Sequence, residues 1–159
     1  MKIILIILIL SLLILGVSNI LGLFLVFCKG FGGLLVLYGA MTAATVTISL
    51  SLYNHIDNII KDIPEKLKYK DKNLYYKAID SLELLKTESL SNTGVAVFNV
   101  CLYLLVQNIK VFSCDNAGLF SYINLLVSIF TLMSFIYLLY DLLNAFKVSS
   151  KYRSIIKKG

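Results

Sequence analysis

The stretch "IILIILILSLLILGVSNILGLFLVF", Ile3–Phe27, decides the class of this protein. It contains 25 residues and no charged side chain. A helix crosses the hydrocarbon layer of a membrane, about 30 Å thick, with about 20 such residues. Lys2 and the Ile/Leu run after it are typical of a signal peptide, but the apolar part of a signal peptide has only about 7–15 residues. We therefore expect a membrane-spanning helix over 3–27 rather than a cleaved signal.

The composition of the whole chain agrees with a membrane protein. Of its 159 residues, 58% are hydrophobic and 15% are charged, and the mean hydropathy is +0.85. In soluble domains about a quarter of the residues are charged, so this chain has too few charged residues to cover the surface of a globular domain. The net charge of +6 is typical either of nucleic-acid binding or of a cytoplasmic membrane face. In a chain this apolar we expect contact with anionic lipid headgroups and no direct binding of nucleic acid.

Further long apolar runs follow the first. The other candidate spans are 33–52, 94–112 and 119–143. The third is the weakest because it contains Lys110, whose long side chain can reach the headgroups from the end of a helix. The sequence therefore predicts an all-α integral membrane protein with four transmembrane helices, arranged as two hairpins over 1–53 and 93–146.

The basic residues indicate how the chain is oriented. With four spans, thirteen of the fifteen Lys and Arg residues fall on one side of the membrane, and only Lys29 and Lys110 fall on the other. Basic residues concentrate on the cytoplasmic side of membrane proteins. We expect both termini, the segment 54–92 and a basic tail over 147–159 to be cytoplasmic, in the cell membrane, most simply the bacterial inner membrane.

The same topology places two short turns outside the membrane, "CKGFGG" at 28–33 and "SCDNAG" at 113–118. We expect positive φ angles in the first turn, which glycine adopts at little cost. The glycines concerned are Gly30, Gly32 and Gly33. Cys28 and Cys114 would share an oxidising compartment, so the sequence leaves open a disulfide between them or two free thiols.

The segment 54–92 has the pattern of two amphipathic helices. Apolar residues recur at helical spacing in both parts. They are Ile56, Ile59, Ile60 and Ile63, followed by Leu74, Ile79, Leu82 and Leu85. We expect a cytoplasmic helical hairpin between the second and third spans, with a helix end at Ser91–Asn92. The second set forms either a docking face for a protein partner or the contact with the first set.

Two faces within the spans predict helix packing. Small residues recur every four positions in the second span, which lets helix backbones approach closely; they are Gly39, Ala43, Thr47 and Ser51. The fourth span carries polar residues on one face, at Ser121, Asn124, Ser128, Thr131 and Ser134. Asn99 and Gln107 on the third span are candidate partners. These residues predict contacts within or between protomers; the alternative is the polar lining of a pore.

The chemistry of a transporter or enzyme has little support. No Asp, Glu, His, Lys or Arg lies deep in a span, where ion-coupled transporters place an ionisable group. His55 is the one histidine, without a set of further metal ligands around it in the sequence, and we expect it to be solvated at the interface. We therefore expect no enzyme activity, no cofactor and no metal.

The order of segments resembles a known family. Four spans, internal termini and the loop "IDNIIKDIPEKLKYKDKNLYYKAIDSLELLKTES", Ile56–Ser89, are similar to the membrane subunit of the Kiwa anti-phage defence system. The resemblance implies a small inner-membrane protein that assembles as an oligomer and recruits a soluble cytoplasmic protein. It implies no residue roles. The leading interpretation is a non-enzymatic scaffold or sensor, a homo-oligomer for which we expect a tetramer; the alternative is a pore-forming or holin-like effector.

Overall fold

The computed structural model describes residues 2–32, 34–63, 72–108 and 118–158. Every regular element in these ranges is an α-helix. The helices are α1 (Lys2–Ile20), α2 (Phe24–Gly32), α3 (Leu35–Lys61), α4 (Lys72–Asn108) and α5 (Leu119–Lys158). All except α2 are long and apolar enough to cross a membrane. The expectation of an all-helical, multi-pass membrane protein with four candidate spans is confirmed.

Three of the helices are longer than a membrane requires. At 1.5 Å per residue, α4 and α5 are about 55 Å and about 60 Å long, roughly twice the hydrocarbon thickness. In each of the three long helices one part is free of charge, and these parts are 35–56 in α3, 89–108 in α4 and 119–140 in α5. The charged remainder of each helix must lie outside the hydrocarbon, because an unpaired charge there is costly.

The first predicted span is not one helix. α1 ends at Ile20 and α2 begins at Phe24, so the expectation of a continuous helix over 3–27 is wrong. Gly22 has a φ of +68°, and the N–H groups of Gly22 and Leu23 donate to the carbonyls of Asn19 (3.1 Å) and Ser18 (2.9 Å). This pair of bonds, with glycine in the left-handed conformation, is the Schellman ending of a helix.

The expected turn glycines are also placed differently. Gly30 and Gly32 lie within α2, and Gly22 is the glycine with positive φ among the described residues. Gly33 and the second expected turn, up to residue 117, lie outside the described residues. The predicted helix end at Ser91–Asn92 is wrong, since α4 runs through it without a break. Residues 147–158 of the predicted basic tail are helical and continue α5.

The chain forms two compact units. The first comprises Met1–Ala43 and Ala96–Tyr137. Its core contains Phe24, Cys28, Leu125 and Ile129, against which Leu15, Phe31, Tyr122 and Met133 pack. α1 joins this unit through one narrow face that contains Leu15 and the buried residues Ile7, Ser11 and Ser18, and it exposes most of its other apolar side chains. Such an exposed apolar surface is stable in lipid.

The second unit comprises Ala44–Val95 and Leu138–Gly159. It contains the C-terminal part of α3, the N-terminal part of α4 and the C-terminal part of α5. Its core is a cluster of aliphatic residues from all three helices and from the second residue after α3, namely Leu52, Ile56, Ile59, Ile63, Leu82 and Leu142. Tyr152, from the region predicted as a basic tail, packs against this cluster. The amphipathic patterns of segment 54–92 therefore serve to build a three-helix core.

Candidate functional site

The polar face of α5 is buried inside the first unit. All five of its members, Ser121, Asn124, Ser128, Thr131 and Ser134, are buried. Gln107 of α4 donates from Nε2 to Oδ1 of Asn124 at 2.8 Å, and the Ser128 hydroxyl donates to the Asn124 carbonyl at 2.9 Å. Polar groups in hydrocarbon need such partners. This face therefore holds helices of one chain together.

Two tyrosines complete this interior, and the sequence analysis did not single them out. The Tyr38 hydroxyl, from α3, donates to the carbonyl of Ser128 at 2.9 Å. Its ring meets the ring of Tyr103 edge-on, with 4.5 Å between centroids, and the Tyr103 hydroxyl donates to the carbonyl of Phe31 at 2.8 Å. Both side chains are fully buried. A tyrosine within an apolar run was the available signal, because a buried phenol needs an acceptor.

Asn99, also expected as a polar partner, has a different environment. Its side chain is 1% exposed, and its Nδ2 group has no hydrogen-bond partner among the described residues. The same holds for the hydroxyl of Thr131, which is 0% exposed. Both residues belong to the first unit. The interior thus contains bonded and unbonded polar groups on the same two helices.

The small residues of α3 lie on the exposed face of the helix. Gly39, Ala43, Thr47 and Ser51 are all exposed, and so are the neighbouring Ala40 and Ala44. A methyl group added at Gly39 would meet nothing within 4 Å. The buried residues of α3, including Tyr38 and Leu52, lie on the opposite face of the helix. Among the described residues, the small face therefore lies on the exposed side of α3.

The expected docking face is occupied within the second unit. Leu82 is 0% exposed and lies in the aliphatic core, where Ile79 and Leu85 pack against it. The side chain of Leu74 lies outside the described residues. These leucines and isoleucine therefore meet the Ile56–Ile63 set, which is the second of the two roles that the pattern allowed. The large apolar side chains exposed on this part of α4 include Tyr76, Leu84 and Leu90.

Charged groups bind α3 to α4 in the second unit. Asp57 accepts from Lys61 at 2.7 Å and from Lys86 at 2.6 Å, and the Lys86 ammonium lies 4.3 Å from the centre of the Tyr53 ring. Asp57 is beyond the roughly 20 residues that α3 needs to cross the hydrocarbon. Hydrogen bonds from Lys61 and Lys86 lower the pKa of Asp57 to about 2. The carboxylate is therefore charged at neutral pH and forms a salt bridge between two helices.

Two further residues of the second unit, Asn92 and His55, contact α5. The side-chain amide of Asn92 donates to Asp141 at 2.7 Å and so joins α4 to α5. The His55 ring stacks against Phe146, with 6.0 Å between centroids. Its Nε2 atom is buried, with no hydrogen-bond partner among the described residues. The ring is therefore half-buried, and the expectation of a solvated histidine does not hold for its Nε2 atom.

The cysteines have unequal environments. Cys28 is 1% exposed and disulfide-bonded, which excludes a free thiol at this position. Its sulfur lies 3.7 Å from the Ser121 carbonyl, a packing contact, because a disulfide sulfur has no proton to donate. Cys101 is free. Cys114 lies outside the described residues, so a Cys28–Cys114 bond stays a prediction.

The polar and charged side chains described above form contacts between helices. The interior of the first unit presents amides, hydroxyls and phenols, and the second unit presents a salt bridge and an aliphatic core. Comparison with known proteins adds no relative to these observations: no protein-family model, no curated protein and no solved structure matches the chain.

Proposed function

We propose that the protein is a non-enzymatic membrane scaffold or sensor that presents its second unit to the cytoplasm and recruits a cytosolic protein there. The observation that carries this proposal is the second unit itself. It has its own aliphatic core, and it contains most of the charged residues of the chain. A folded, charged extension of three membrane helices is a surface on which a soluble protein can bind, in a membrane subunit of the Kiwa type as in other recruiting systems.

The orientation follows from the basic residues. A cytoplasmic helical hairpin over 54–92, with both termini on the same side, puts thirteen of the fifteen Lys and Arg residues into one compartment. The bacterial inner membrane is the simplest location for this arrangement. Lys147 follows the uncharged part of α5 closely and is well placed for anionic headgroups.

We also propose that the protein acts as a homo-oligomer, with a tetramer as the expected assembly. The support is the exposed small face of α3, Gly39–Ser51. Lipid tails are as apolar as aliphatic side chains, so helices associate in membranes through close van der Waals contact, which small residues allow. A second copy of the chain can approach α3 along this face more closely than along the Leu- and Ile-rich surface of α1.

A pore-forming effector is the second candidate. The polar face of α5 supports it, but Asn124, Ser128 and Thr131 are buried within a single chain, so a conducting path would have to run through a protomer. Ion flux from liposomes that is lost on Asn124→Leu would favour this role. Liposomes that stay tight at a high protein-to-lipid ratio would count against it.

The scaffold role is tested by a matched pair of leucines on α4. Leu82 is 0% exposed and Leu84 is 61% exposed. Tagged protein is purified from its native membranes, and the mass of the complex reports both the oligomer and any companion. We expect Leu84→Glu to keep the oligomer and the thermal stability of the wild type while losing the companion. Leu82→Glu is expected to unfold the second unit, because it places a charge in an aliphatic core.

A wild-type preparation that contains only monomers, without a companion, would contradict the proposal. A companion that stays bound in equal amount to Leu84→Glu would place the contact elsewhere on the chain. In that case the scaffold role would stand and the proposed contact residue would be wrong.

A further inference from the structure

The two unbonded polar groups of the first unit lie on facing helices. Asn99 belongs to the buried face of α4 that also contains Ala96, Tyr103 and Val106. Thr131 belongs to the buried polar face of α5. Both side chains therefore point into the interior of the first unit.

The hydrogen bond between Gln107 and Asn124 sets the register of α4 against α5. Tyr103, one turn before Gln107, and Ser128, one turn after Asn124, are both in contact with Tyr38, so the two helices run antiparallel. Asn99 lies eight residues from Gln107, about 12 Å along α4, and Thr131 lies seven residues from Asn124, about 10.5 Å along α5. The two side chains are at the same level to within about one residue.

The two groups do not bond to each other. Neither Nδ2 of Asn99 nor the hydroxyl of Thr131 has a partner within hydrogen-bond distance among the described residues. Both levels are near mid-membrane, because Thr131 lies about 18 Å from the first residue of α5. Buried polar groups at this depth are not left without partners in stable membrane proteins.

We propose that Asn99 and Thr131 together bind a water molecule, which bridges α4 and α5 in the interior of the first unit. The amide N–H donates to the water, and the Thr131 hydroxyl exchanges a hydrogen bond with it, so one molecule satisfies both groups. The chemistry of the site is neutral: its side chains are an amide, a hydroxyl and the nearby phenols of Tyr38 and Tyr103. It therefore takes a small neutral hydrogen-bonding molecule and not an ion. This inference does not depend on the scaffold role.

The test is a double-mutant cycle on the full-length protein in detergent or bilayers. Thr131→Val has nearly the shape of threonine but no hydroxyl, and Asn99→Leu removes the amide. If a water joins the two groups, each single variant leaves the water and the other group short of a partner, and the melting temperature falls. The double variant is then expected to lose no more than the larger of the two single losses, since there is nothing left to satisfy.

A site without a bound water gives the opposite result. If both groups are dry, Thr131→Val removes an unsatisfied hydroxyl and raises the melting temperature; such a rise, or single effects that add, would overturn the proposal. If Asn99→Leu does not fold, the direction of the melting-temperature shift of Thr131→Val by itself decides between a bound water and a dry site. Thr42→Val is the control, because its hydroxyl donates to the Tyr38 carbonyl at 2.8 Å and its loss should not couple to Asn99.

Discussion

Gly22 and Gly30 occupy opposite backbone conformations, and they allow a matched test at the scale of single residues. Gly22 has a φ of +68°, whereas Gly30 lies within α2. A methyl group added at either position meets nothing within 4 Å. We expect Gly22→Ala to destabilise the protein by about 1–2 kcal/mol, the cost of a left-handed residue with a side chain. Gly30→Ala should stabilise it by about 0.5–1 kcal/mol, because alanine favours a helix.

Reversible unfolding in mixed micelles measures both free energies. Two shifts of the same sign would show that α1 and α2 are not separated by a Schellman ending in the membrane. The sequence contained the signal for this ending, a glycine after "SNIL", but hydropathy alone joins the two helices, because the residues on either side of Gly22 are equally apolar.

At the scale of an element, α3 presents small residues on the side opposite to its buried residues. If this face is the contact with a second copy, a large side chain on it keeps the helices of one chain together and separates the copies. We expect Ala43→Leu to fold with the wild-type melting temperature but to shift the mass in detergent from oligomer to monomer. Val17→Phe, on the exposed surface of α1, adds at least as much apolar bulk elsewhere and should leave the oligomer intact.

An unchanged mass for Ala43→Leu would remove the small face from the proposed interface. Periodicity predicted that Gly39, Ala43, Thr47 and Ser51 share a face, and they do. It could not predict that this face is exposed, because a helix shows the same small residues whether its own neighbours or a second copy covers them.

At the scale of the whole molecule, the predicted orientation depends on an even number of spans, which places both termini on the same side of the membrane. A reporter enzyme that is active only in the cytoplasm is expected to be active when it is fused after Lys70 or after Gly159. The reason is that basic residues concentrate on the cytoplasmic side of membrane proteins. A fusion after Gly32 should give the opposite result and is the control. Reporters after Lys70 and Gly159 that lie on different sides would overturn both the topology and the proposed recruitment surface.

The sequence predicted one part of the candidate site and not the other. The sequence predicted a shared polar face from Asn124 to Thr131, with Gln107 as a partner, because a 3.6-residue period places these residues together. It did not predict that Tyr38 would bond to Ser128, or that the Asn99 amide nitrogen and the Thr131 hydroxyl would have no hydrogen-bond partner among the described residues. Those facts depend on the register of α4 against α5, which involves residues far apart in the chain.

By itself, the sequence determined the class of the protein, the number of candidate spans and the helical character of 54–61 and 72–92, because hydropathy and helical period are local properties that a lipid solvent enforces. Tertiary structure decided which face of each helix is covered. Leu82 and Leu84 are two positions apart on one amphipathic helix, and packing against Ile56 and Ile59 buries the first and leaves the second exposed. A pattern specifies which residues face the same way; only the position of the neighbouring helices decides whether that way is inward.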